Sequence, residues 1–132
     1  MEDSKEKIIY EYCLLRYVPD LERGEFLNVG LMMMSKRCRW MRTEILLDEV
    51  RLLAMSAKCN LERLREQISV FQSRDVPSPD IAIEEKYRWM AAVKSAIIQT
   101  SPSHPGLLYA SLDDAKKSLD TKFDELFERL VK

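Results

Sequence analysis

The sequence predicts an α+β fold: an antiparallel sheet of three to four strands, a meander in the N-terminal half, packed against three to four helices. Two observations predict it. Between Ile8 and Leu47, runs rich in β-branched and aromatic residues are joined by short connections. Connections this short join antiparallel neighbours, because a parallel return needs a crossover of about a dozen residues or more. From Asp48 onward the apolar positions step by three and four, the period of helices with one buried face. Strands followed by helices, rather than strict alternation, place the helices against one face of the sheet.

The first strand spans Ile8 to Val18. Its alternation puts Tyr10, Tyr12, Leu14 and Arg16 on one face and Ile9, Glu11, Cys13, Leu15 and Tyr17 on the other. Pro19 cannot donate to a ladder and opens a polar connection through Gly24. A second strand runs from Phe26 to Met34, and its Met32-Met33-Met34 run points to alternate faces, so part of it is core. A basic turn, Ser35-Lys36-Arg37, leads into a third strand from Cys38 to Leu47.

Asp48 caps a short helix reaching Ala57, and Asn60 caps another with Leu61, Leu64, Ile68 and Phe71 on one stripe. Asp75 to Asp80 is a break in which Ser78 suits an N-cap and Pro79 the first helical position. The helix beyond it, Asp80 to Val93, carries Ile83, Tyr87, Met90 and Ala91 on one stripe. Ala96 to Thr100 supplies a fourth strand, and Ser101 to Gly106, with two prolines, a stiff loop. Ser111 and Asp114 make a variant capping box for the last helix. Its stripe is Leu112, Ala115, Leu119, Phe123, Leu126, Phe127 and Leu130. Its large side chains contribute on the order of 10 kcal/mol when buried, at about 1.5–3 kcal/mol each before entropy is charged.

The chain has 132 residues, 46% hydrophobic and 33% charged, which suits a single domain and excludes a disordered tail. Residues 1–7 are expected to be flexible, 8–47 to form the sheet and 48–132 to be mainly helical. No apolar run approaches the ~20 residues of a membrane helix. The first residues lack the basic-then-apolar pattern of a secretory signal. Cys13, Cys38 and Cys59 are odd in number and form no C-x-x-C pair, which fits a reducing cytoplasm. With His104 the one histidine and no metal-ligand spacing, neither a metal nor another cofactor is expected. The formal charge is −1, from 21 basic and 22 acidic residues, so no general attraction to nucleic acid or membrane is expected.

Polar residues concentrate in two stretches. The first, Arg16 to Gly30, brings Arg16, Asp20, Arg23, Glu25 and Asn28 around one strand–loop–strand connection. Arginine forks take carboxylate or phosphate bidentately, so the cluster suits an anionic ligand. Internal pairing of Arg23 with Glu25 explains the same residues structurally. The second, Ser95 to Gly106, holds Gln99, Ser101 and His104 on a stiff loop. Ser101 and His104 are three residues apart with no nucleophile elbow, which speaks against serine hydrolysis. Lys36, Arg37, Arg39 and Arg42 surround Trp40, yet Arg39 points away from Trp40 and Arg42 at a strand pitch, so they make no single nucleic-acid surface.

The run Tyr12-x-x-x-Arg16-Tyr17-x-Pro19-Asp20-x-x-Arg23-x-Glu25-Phe26-x-Asn28-Val29-Gly30 resembles the opening of the bacterial domain-of-unknown-function 3037 family. So do Tyr87-Arg88-Trp89, Ile98-Gln99-x-Ser101-Pro102-x-His104-x-Gly106 and the ending Leu126-Phe127-Glu128-Arg129-Leu130-Val131. Met32-Met33-Met34 departs from the smaller apolar residues expected there. The resemblance carries no established activity. It implies a protein partner, a HipA-like kinase among the possibilities, and a regulatory role. It also raises the weight of Arg16, Asp20, Arg23, Glu25, Asn28, Arg88, Gln99, Ser101 and His104 as binding residues, with the two polar stretches meeting at one end of the sheet. The expected function is a non-catalytic binding or regulatory module for a protein partner or anionic ligand. The alternative is an enzyme acting on a phosphate-bearing substrate, with His104 and Glu25 as acid and base and Arg16 and Arg23 as anion clamp.

Overall fold

A computed structural model of the protein describes residues 5–72, 80–92 and 97–132. Its axis is a long first strand, β1 (Glu6–Tyr17), so Glu6 and Lys7 belong to the sheet rather than to a flexible lead, and residues 1–4 lie outside the described residues. β1 pairs with β2 (Leu27–Ser35), and β2 with β3 (Trp40–Ile45), which is the expected meander. The other edge of β1 is divided between two strands from far along the chain. β4 (Ile98–Thr100) takes Leu15 to Tyr17, and β5 (His104–Ala110) takes Glu6 to Tyr12. All pairings are antiparallel, and among the described residues the sheet has five strands.

β5 replaces part of the expected stiff loop. Pro105 weighs against a strand at first sight, yet it stands on the outermost strand, where a missing N–H is tolerated. The helices are α1 (Glu49–Met55), α2 (Leu61–Ile68, continued by a 3-10 turn Ser69–Gln72), α3 (Ile83–Ala92) and α4 (Ala115–Leu130). Asp48 and Asn60 are the N-caps, accepting from the N–H groups of Arg51 and Arg63. Of the expected break, Ser78 and Pro79 lie outside the described residues, as do Val93, Ser95 and Ala96. The capping box does not form at α4: Ser111 Oγ bonds the Asp114 carboxylate itself (3.2 Å), and Asp114 makes no side-chain cap. Leu112 sits in the turn before α4 and is exposed, while Ala115, Leu119, Phe123, Leu126 and Phe127 are buried.

The helices cover both faces of the sheet, not one. Among the described helices α4 alone packs on the face bearing Ile8, Tyr10, Leu14, Leu31, Met33 and Trp40. The other helices pack on Cys13, Leu15, Tyr17, Met32 and Met34 through Leu52, Leu64, Phe71, Tyr87 and Met90. The cause is visible in β2: Leu31, Met32 and Met33 are each fully buried, and a strand apolar on both faces needs a layer on each side. Arg42 fastens β3 to α4. Its guanidinium lies 4.2 Å from the Phe123 ring centroid and bonds Glu44 and, at 2.9 Å, Asp124. Arg37 instead pairs with Glu6, so the basic run is divided between two places.

One irregularity positions the functional residues. Leu15 pairs with Gly30 but Arg16 with Asn28, so Val29 is an extra residue in β2. Such a bulge shifts the alternation of its strand, and it brings Asn28 onto the face of Arg16. Among the described residues no helix is long and apolar enough to cross a membrane.

Candidate functional site

Three of the sequence-selected residues stand in one row. Register sets Arg16 of β1 directly opposite Asn28 of β2 on one side and Gln99 of β4 on the other. Directly opposed residues of an antiparallel ladder share a face, with Cβ atoms about 4.5–5.5 Å apart. The row lies at the C-terminal end of α4. Asn28 Nδ2 donates to the Leu130 carbonyl at 3.1 Å, and Arg51 Nη1 to the Val131 carbonyl at 2.8 Å. These helix-end carbonyls attract cations, and other side chains already occupy them.

Arg16 makes a different contact. Its Cζ lies over the Phe26 ring, 4.0 Å from the centroid, within the range of a cation–π interaction. Phe26 is 43% exposed, and Arg16 is half-buried beside it. Arg16 Nε and Asn28 Oδ1 are both buried and, among the described residues, without a hydrogen-bond partner. An unsatisfied buried polar group costs about 1–3 kcal/mol, so a donor and an acceptor left open in one row mark a place where water or a ligand completes the bonding.

The remaining selected residues stand elsewhere. Asp20 closes a turn by accepting from the Glu22 N–H at 3.0 Å. Arg23 Nε donates to Glu25 at 2.5 Å in the exposed loop around Gly24, whose φ of +69° suits glycine. The guanidinium holds the Glu25 carboxyl below its usual range, and Glu25 raises Arg23 in return. Internal pairing therefore accounts for these two residues.

Arg88 is on the opposite face of the sheet. It grips Glu11 with both Nη atoms, at 2.8 and 2.7 Å. Glu11 also accepts from Ser103 Oγ at 3.3 Å, and Ser103 is 2.7 Å from the Tyr87 hydroxyl. The hydrogen bonds from Arg88 hold the Glu11 carboxyl below its usual range. Behind them burial pushes the Cys13 thiol up to about 11, so it is an inert core residue. This network fastens α3 and the β4–β5 connection to β1. Sequence reasoning missed Glu11 and Ser103 because their meeting depends on β5.

Ser101 is a structural residue. It is buried; its Oγ accepts from the Leu14 N–H at 2.8 Å and donates to the Pro102 carbonyl at 2.9 Å. Its own N–H donates to the Leu14 carbonyl at 2.8 Å, so Ser101 fills the gap between β4 and β5 in the ladder. Ser101→Ala is expected to leave the Leu14 N–H unpaired and to cost about 1–2 kcal/mol in urea unfolding. Amide exchange at Leu14 that stays as slow as in the wild type would contradict this role.

His104 pairs with Tyr12, their ring centroids 5.3 Å apart. Tyr12 and Arg16 are four strand positions apart, roughly 13 Å at the rise of a strand. His104 and Gln99 thus share a face without sharing a site. Glu25, held by Arg23, lies beyond the Tyr17 end of β1, still farther from His104. The arrangement of His104 with Glu25 as acid and base, clamped by Arg16 and Arg23, is not what the fold builds. The expected meeting of the two polar stretches comes down to Gln99 against Arg16.

A family model described as "protein of unknown function (DUF3037)" matches residues 12–131. No curated protein and no solved structure matches the chain.

Proposed function

We propose, for a chain that belongs to the DUF3037 family, a non-catalytic binding module that takes an anionic group of its ligand or partner at the Asn28–Arg16–Gln99 row. The observation that carries this reading is Arg16 itself: a guanidinium 4.0 Å from the ring centroid of a half-exposed Phe26, with a buried Nε that none of the described residues engages. A carboxylate or phosphate oxygen accepts from such a group, and planar bidentate recognition is what arginine supplies better than lysine. Asn28 and Gln99, opposite Arg16 in the ladder, carry amides that donate and accept, and Phe26 offers an apolar rest for the body of the ligand. The HipA-like kinase suggested by the family resemblance is one partner of this kind to try.

The reading is tested with acetate, benzoate and inorganic phosphate as probes, followed through amide chemical shifts of the full chain. Shifts are expected to cluster at Arg16, Asn28 and Gln99, and Arg16→Met, which keeps an apolar stem against Phe26, is expected to weaken binding about tenfold or more. Shifts scattered over the surface lysines, or unchanged by Arg16→Met, would sink the proposal. Arg23→Ala serves as the control, since Arg23 is spent on Glu25.

A further inference from the structure

We propose that the uncovered part of the second sheet face docks an acidic amphipathic helix of a partner protein. The helices α1 to α3 cover this face around Leu15 and Tyr17, but they leave its other end bare. Ile9, Leu107 and Tyr109 are 56%, 48% and 63% exposed. Ile9 pairs with Leu107 and Lys7 with Tyr109, so register puts these side chains on one face as a contiguous apolar strip. Beside the strip, an open groove of about 900 Å³ runs between the start of α3 and the end of β2, with Ile9, Met34, Ile81 and Ile83 among its lining.

The rim of the groove is basic: Lys7, Lys36, Arg37 and Arg39 line it. Arg37 is paired with Glu6, and the one acid on β1 in the groove, Glu11, is taken by Arg88. Among the described residues Lys7, Lys36 and Arg39 have no ion-pair partner, and Glu84 is the opposing charge. Arg39 also has a positive φ (49°), in the turn closed by its N–H to the Lys36 carbonyl. A side chain in the left-handed region is uncommon, and here that conformation sets an arginine at the groove mouth.

An apolar floor with a basic rim is complementary to an apolar stripe with acidic flanks, the surface of an amphipathic helix. The strip is made of side chains on a sheet face, which a helix covers; a strand added to the open edge of β5 would pair with its backbone and leave these side chains exposed. Pro105, which pairs with Glu11 on the same face and is exposed, extends the strip to roughly 13 Å along β5, enough for about two and a half helical turns. A second copy of this chain is the less suitable occupant. Two-fold pairing would set the same cations against each other, and like charges across an interface cost affinity.

The test uses the full chain and a labelled helix-forming peptide of about 18 residues, with leucine at i, i+3, i+4 and i+7 and glutamate on its flanks. The same peptide with lysine flanks is the comparison. The glutamate peptide is expected to bind about tenfold or more tightly than the lysine peptide. Lys36→Glu with Arg39→Glu is expected to reverse that preference, and Leu107→Asp, at an exposed position, to abolish binding while leaving the thermal midpoint near wild type. Arg16→Met, which is expected to weaken binding of the small anions, is expected to leave the affinity for this peptide unchanged, which separates this surface from the Arg16 row. Equal affinity for the two peptides, no saturable binding, binding untouched by the charge reversals, or binding lost in Arg16→Met would each overturn the proposal. So would a concentration-dependent dimer that Leu107→Asp dissociates, because the face would then belong to a second copy.

Discussion

Phe123→Ala is expected to destabilise the fold by about 3–5 kcal/mol, the range for emptying a buried aromatic site. Phe123 is fully buried on the α4 face. It meets Trp40 edge-on at 6.5 Å and stacks with Phe127 at 6.0 Å, and it carries the Arg42 guanidinium on its ring. Truncation opens a cavity between β3 and α4 and removes the surface on which Arg42 rests. Because α4 is the one helix on its face among the described residues, little stands ready to collapse into the space. Urea unfolding should show a lower midpoint with an unchanged slope. A loss below about 1 kcal/mol would mean that α4 is not packed as described.

Gly106→Ala is expected to cost about 2–3 kcal/mol by overpacking. A Cβ on Gly106 would stand 2.3 Å from Cζ and 2.5 Å from the hydroxyl of Tyr10, whose residue pairs with Gly106 across the β1–β5 ladder. Tyr10 is buried, with Tyr12 beside it at 6.4 Å between ring centroids, so the ring cannot swing aside without leaving the core. Glycine-to-alanine changes at unstrained positions usually stabilise by about 0.4–1 kcal/mol through the unfolded chain, so the sign of the effect is diagnostic. A thermal-melt cycle with Tyr10→Ala checks it: Gly106→Ala should be near neutral or stabilising once the ring is gone. Equal losses in both backgrounds would contradict the contact.

The meander and the final helix were legible because their signals are local. Alternation over Tyr10 to Tyr17, the caps Asp48 and Asn60, and the stripe from Ala115 to Phe127 each need only a few neighbouring residues to be read. What escaped were features settled by distant partners. His104 to Ala110 becomes a strand because β1 offers it an edge, and its proline, so close to a second one, hid that outcome. Helices on both faces follow from Leu31, Met32 and Met33 being buried together, whereas the methionine run alone indicated only that part of it was core.

The candidate site divides along the same line. Arg16 and Asn28 stand close in sequence within one polar stretch, and Gln99 belongs to the other. That these three, and not Arg23, Glu25 or His104, form the row depends on the extra residue at Val29 and on the register of β4. Neither can be read from residue types. The Arg88–Glu11 grip was hidden for a comparable reason: the partners are 77 positions apart.

The divided edge of β1 carries a consequence for how the chain becomes a sheet. Leu14 and Ser101 are 87 positions apart, so the central strand completes its hydrogen bonding only through the last third of the polypeptide. During synthesis the hairpin of β1 and β2 emerges early, with one flank of β1 open, and waits for β4 and β5 to reach it. Contacts of such long sequence separation slow folding, and an unpaired strand edge is a site of aggregation while it lasts. The step that ends the exposure is the arrival of the segment from Ile98 to Ala110, which closes the flank of the strand made first.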